Sequence, residues 1–144
     1  MSDPPYRSGD FVWAAFPERE NPARPGPRHI AYAVAITSGT SVNAVIVAYT
    51  TSQPWSGPRP PGVYGFGRGA AAEMGQARPF TLDLRRMAFV PMTVAWFPDL
   101  AAGTHGIVGR APERLRLELE LAAKELFRRS PEIVERLGPL WPTP

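Results

Sequence analysis

Two apolar, partly β-branched runs, Ile30 to Ile36 and Val42 to Tyr49, flank the polar segment Thr37-Ser38-Gly39-Thr40-Ser41. Hydroxyl residues around a glycine turn the chain, and runs of this length and composition are strands, so the two fold back as a hairpin. A hairpin needs further strands to cover it, and the rest of the first 110 residues supplies short runs of the same kind. Phe11 to Phe16, bounded by Gly9-Asp10 and Pro17, reads as a buried strand. Phe80-Thr81-Leu82-Asp83-Leu84 alternates with the period of a half-buried strand. Met87 to Val94 continues as another strand, with Pro91 marking an edge or a bulge. His105 to Val108 gives one more short strand.

Proline and glycine separate these runs. Residues 17–28 hold Pro17, Pro22, Pro25, Gly26 and Pro27 and form a loop. Residues 54–79 hold five prolines and six glycines, enough to predict one long loop, functional or disordered, with a single helical turn at Ala70 to Met74. Beyond Pro112 the pattern changes period. Leu115, Leu119, Ala122 and Leu126 fall on one helical face, while Leu117 and Leu121 form a second stripe free to meet the sheet, a second copy or a partner. A second short helix is expected from Ser130-Pro131-Glu132 to Gly138. The expected fold is mainly β (α+β): one domain over 1–144, with a small barrel-like unit of five to six strands over 1–110 and a two-helix appendage over 111–138.

Bulk properties narrow the classes. A chain of 144 residues buries roughly 68–70% of its unfolded surface and needs no covalent staple. It has no cysteine, which excludes disulfides and thiolate metal sites and matches a reducing cytoplasm. The segment Met1 to Arg7 has no apolar core, so no signal peptide is expected, and no run suits a membrane span. Residues 22–86 carry seven arginines against Glu73 and Asp83, whereas after residue 112 five arginines and Lys124 meet six glutamates. A genome that writes arginine for lysine accounts for the arginine count but not for its position. A middle segment this basic suits a polyanion.

The order of motifs resembles the MazF/PemK family of toxin ribonucleases. The resemblance rests on Gly9-Asp10-Phe11-Val12-Trp13, Phe16-Pro17, Pro25-Gly26-Pro27-Arg28 and Ala48-Tyr49-Thr50-Thr51-Ser52-Gln53. The segment from Leu82-Asp83-Leu84 to Trp96-Phe97-Pro98 and the leucine-rich helix look like the longer PemK-like branch. The resemblance implies an SH3-like β-barrel with added helices and a homodimer. It implies cleavage of single-stranded RNA (mRNA or tRNA) without metal or other cofactor, leaving 2′,3′-cyclic phosphate and 5′-hydroxyl ends. It also implies a cytoplasmic growth inhibitor with a cognate antitoxin peptide. By position, the essential arginine of the family falls on Arg28 and its hydroxyl pair on Thr51 and Ser52.

Elementary chemistry asks for the same residue types. When a ribose 2′-OH attacks its own phosphate, the pentacoordinate centre gains negative charge. A guanidinium stays charged and forks onto two oxygens, and hydroxyls at a strand end donate to the same centre. Arg28 is a poor general base, so its first expected role is charge stabilisation. His29 stands where the family usually has proline, either as an acid–base partner or as plain packing. His105 reads as a turn residue, and two histidines without carboxylates at ligand spacing make no metal site. Glu18 and Glu20 orient Arg28, repel a wrong RNA register at a substrate-binding surface, or simply form a solvated loop. Gln53, Trp55, Arg59 and Arg68, with Tyr64 and Phe66, either bind unpaired bases or anchor the long loop. Trp13 and Phe16 read as core. The alternative function is a catalytically inactive SH3-like module that binds protein or nucleic acid; a third is a proline-rich interaction protein with a mobile 54–79 segment.

Overall fold

The computed structural model describes residues 4–38 and 43–142. Its core element is a seven-stranded sheet in the order β4-β5-β3-β2-β1-β6, with β7 beside β5. The strands are β1 (Asp10–Ala15), β2 (Arg28–Ser38), β3 (Asn43–Thr51), β4 (Val63–Phe66), β5 (Phe80–Pro91), β6 (Ile107–Arg110) and β7 (Glu135–Leu137). All pairings are antiparallel except β5 with β7. Two helices accompany them, the short α1 (Arg68–Glu73) and the long α2 (Glu113–Arg129). Among the described residues no helix is long and apolar enough to cross a membrane. The β2–β3 hairpin forms as expected, with Tyr32 opposite Ala48 and Ala31 opposite Tyr49; the centre of its turn, Gly39, lies outside the described residues.

The central strands are apolar on nearly every residue because both sheet faces are covered. Phe11, Tyr32, Ala48, Leu82 and Met87 point into one core, roofed by α1 and by Leu119, Ala123 and Leu126 of α2. Val12, Ala31, Val45, Val47 and Val90 point into a second core under Tyr6, Trp96 and Phe97. Burying side chains of this size is worth about 1.5–3 kcal/mol each, which holds both layers on one sheet. The expected inward stripe of α2 packs as read, while Leu117 and Leu121 stay exposed on its outer side, away from the sheet.

Three expectations are corrected. The stretch 54–79 is not one loop: besides the expected helical turn, which forms as α1, it contains β4, paired to Phe80–Asp83. The expected strands 80–84 and 87–94 are one strand, β5, bulged where Leu84, Arg85 and Arg86 have no partner on β3; Pro91 is its last residue. The second C-terminal helix is absent. Pro131–Ile133 makes a single 3-10 turn and Glu135–Leu137 becomes β7. β4 covers β5 only as far as Asp83, and β7 supplies the missing partners at Arg86–Ala88. Nine residues have little intrinsic helical stability, so this edge wins.

The ladder does not close into a barrel: no described strand pairing joins β4 to β6. Backbone packing spans the gap instead. A β-carbon on Gly109 of β6 would lie 1.8 Å from the Met74 carbonyl oxygen, and one on Gly75 (φ +74°) 2.0 Å from that of Val108. The end of α1 and β6 therefore touch backbone to backbone, which only glycine permits.

Candidate functional site

β2 and β3 are antiparallel neighbours, so the start of one lies beside the end of the other. That pairing brings Arg28 and His29 to the same end of the sheet as Thr50, Thr51 and Ser52. β1 adds Trp13, opposite Ile30. An open cleft of about 320 Å³ lies there. Trp13, His29, Thr51 and Ser52 line it together with Gln76 and Arg78, which follow α1. The Gln76 Nε2 is buried with no hydrogen-bond partner among the described residues.

Arg28 does not itself line the cleft; it sits against the Trp13 wall and is held twice. Its Cζ lies 4.1 Å from the centre of the Trp13 ring, and Nη2 donates to Asp99 Oδ2 at 2.5 Å. Asp99 belongs to a tightly tied segment. His105 Nδ1 donates to the Leu100 carbonyl at 2.7 Å, and the Tyr6 hydroxyl donates to the His105 carbonyl at 2.8 Å. Gly106 (φ +78°) packs against the Asp99 β-carbon. The carboxylate that meets Arg28 thus comes from 71 residues away, not from Glu18 or Glu20, which sit exposed in the loop before β2. Arg28 keeps about half of its side chain exposed, so it remains reachable.

His29 is fixed in orientation and tautomer. Nε2 hydrogen-bonds the Thr50 carbonyl oxygen, which only accepts, so Nε2 carries a proton. In the neutral ring Nδ1 is then the acceptor. The ring stacks flat on Tyr49, with centroids 4.9 Å apart and planes 4° apart. The hydroxyls divide their work. Thr50 Oγ1 is buried and donates to the Ile30 carbonyl at 2.6 Å, holding the two strand ends together. Thr51 Oγ1 accepts from the Gln53 N–H at 3.2 Å and keeps its own proton to give, and Ser52 is exposed at the cleft wall.

A second groove of about 500 Å³ continues from the first through Ser52, Arg78 and Phe80. Gln53, Trp55, Arg59 and Phe66 line it. Trp55 is half buried, with Nε1 donating to the Pro58 carbonyl at 3.2 Å, and Arg59 lies directly over Gly65 of β4. Phe66 also packs on Phe80 at 5.1 Å, so it anchors its segment while showing an edge to the groove. Tyr64 turns into the first core, where burial pushes its hydroxyl pKa up.

Of the residues singled out in the sequence, His29, Thr51 and Ser52 meet in the cleft, Gln53, Trp55 and Arg59 meet in the groove, and Arg28 adjoins through Trp13. Glu20 and Arg68 line neither. Trp13 is corrected from core to half-buried cleft wall. Sequence reasoning missed Asp99, Gln76 and Arg78; the only signal for Arg78 was its place among the arginines of a Pro/Gly-rich stretch. No protein-family model matches this chain, and no curated protein sequence matches it.

Proposed function

We propose that this chain is a metal-independent endoribonuclease of the toxin type, built on an SH3-like arrangement of its strands and cutting single-stranded RNA. The observation that carries the reading is the meeting of His29, Thr51, Ser52 and Arg78 in one open cleft, with Arg28 clamped against its Trp13 wall. In this reading the ribose O2′ attacks the adjacent phosphorus and gives its proton to His29 Nδ1. Arg28 and Arg78, with the Thr51 and Ser52 hydroxyls, take up the charge on the phosphoryl oxygens. The P–O5′ bond breaks, O5′ leaves with a proton from solvent, and the products are a 2′,3′-cyclic phosphate and a 5′-hydroxyl. DNA lacks the attacking hydroxyl and is not cut. A cytoplasmic homodimer neutralised by an antitoxin peptide completes the proposal.

The test is incubation with mixed-sequence RNA in the presence of a chelator. The reading requires 5′-hydroxyl and cyclic-phosphate ends that disappear with Arg28→Ala and with His29→Ala. A second reading has its own observation: Asp99 already balances the charge of Arg28, as in a binding module with no reaction to serve. RNA that is bound but stays intact, with affinity indifferent to Arg28→Ala, establishes that module instead.

A further inference from the structure

Arg85 and Arg86 are adjacent in the bulge of β5, and they are treated differently. Arg85 is neutralised by a fork onto Asp83, with both contacts at 2.9 Å. Arg86 turns the other way, its Cζ 4.2 Å from the Tyr49 ring and 5.5 Å from that of Phe16. Among the described residues no carboxylate comes within ion-pairing distance of it. The nearest candidate by register, Glu135 of β7, is taken by Arg19 at 2.7 Å. The Arg86 Nε is buried and meets no acceptor. Arg86 is only partly buried, so its other nitrogens can meet an anion, and a ligand that reaches Nε also supplies the bond that atom lacks.

The space in front of it is a small pocket of about 170 Å³, walled by Phe16, Glu18, Pro27, His29 and Tyr49. His29 is also a wall of the cleft, so one side chain lines both cavities. We infer that the Arg86 pocket is a phosphate site. It takes the phosphodiester next to the one held in the cleft, and so fixes the path of the strand past His29. The site rests on Arg86 alone; the strand as its natural source rests on the ribonuclease reading. A phosphomonoester or free phosphate shares the same chemistry.

The test follows the Arg86 Nε–H resonance of the full chain during two titrations. One uses inorganic phosphate; the other uses an all-deoxy oligonucleotide without terminal phosphates, which cannot be cut. A saturable shift with the oligonucleotide is expected. Arg86→Met should weaken oligonucleotide binding about tenfold or more, as expected for loss of a charge-assisted bond, while Arg86→Lys keeps part of it. Glu18→Gln should tighten both ligands. A response to inorganic phosphate alone upholds the site and assigns it to a phosphomonoester. An unmoved Arg86 Nε–H in both titrations overturns the inference, as does unchanged affinity in a folded Arg86→Met. Failure of wild-type protein to cut RNA sinks the nuclease reading without touching this titration.

Discussion

Arg28 opens β2 and Asp99 lies in the segment before β6, yet the two share a 2.5 Å hydrogen bond while the guanidinium rests on Trp13 at 4.1 Å. The arginine is therefore aimed before any ligand arrives. Both partners are substantially exposed, so the pair adds little to folding, no more than about 1 kcal/mol. Its contribution is orientation. Asp99→Asn should leave the urea midpoint nearly unchanged and lower kcat on RNA about tenfold, a barrier increase of roughly 1.4 kcal/mol. Unchanged kcat in a chain that cuts RNA would show that Arg28 needs no aiming.

His29→Gln tests the proposed base directly. The Gln amide can still donate toward the Thr50 carbonyl, but it offers no nitrogen acceptor in place of Nδ1. Cleavage should fall at least a hundredfold, within the range for loss of general acid–base catalysis, with RNA affinity retained. Affinity and rate falling together would assign His29 to binding.

The adjacent threonines should separate stability from activity. Thr50→Val removes the hydroxyl that donates to the Ile30 carbonyl and should cost about 0.5–1.5 kcal/mol, with cleavage preserved wherever the protein is folded. Thr51→Val should cost less than about 1 kcal/mol and lower kcat. Denaturation midpoints and single-turnover rates on both variants decide the assignment.

Gly109→Ala should destabilise by at least about 1–3 kcal/mol, because the new methyl group meets the Met74 carbonyl backbone rather than a yielding side chain. Gly69→Ala is the matched control. It lies within α1 with open space around it and should stabilise by about 0.4–1 kcal/mol. Thermal unfolding of the two variants gives opposite signs.

Alkaline stability follows from two buried phenols. Burial pushes the pKa of Tyr6 up, reinforced by Asp99 and Asp10, and burial likewise raises that of Tyr32. The folded state thus holds these protons after the unfolded chain has lost them. The stabilisation is complete below the unfolded value of about 10 and is lost as pH rises above it. Urea midpoints should hold level to about pH 9 and drop beyond pH 10. Tyr32→Phe should flatten that drop.

The hairpin and β1 were readable because strands buried on both faces spell continuous apolar runs between punctuating residues. α2 was readable from its 3.6 period. β4 and β7 were not: Val63-Tyr64-Gly65-Phe66 hides among prolines and glycines, and Glu135-Arg136-Leu137 is a strand only because β5 has an edge to offer. The site divides in the same way. Arg28, Thr51 and Ser52 sit at strand ends, which local sequence marks. Asp99, Gln76 and Arg78 arrive through tertiary packing from segments with no periodicity, so nothing near them in the chain announces their place.

The parallel pairing of β7 makes the hydrogen-bonding of β5 at Arg86–Ala88 depend on residues about fifty positions downstream. Until those residues arrive, a growing or clipped chain displays bare amide and carbonyl groups beside a strongly apolar strand, a template for adhesion between unfinished copies. The tail thus covers that edge, and cutting it after Arg129 should make the chain aggregate more readily.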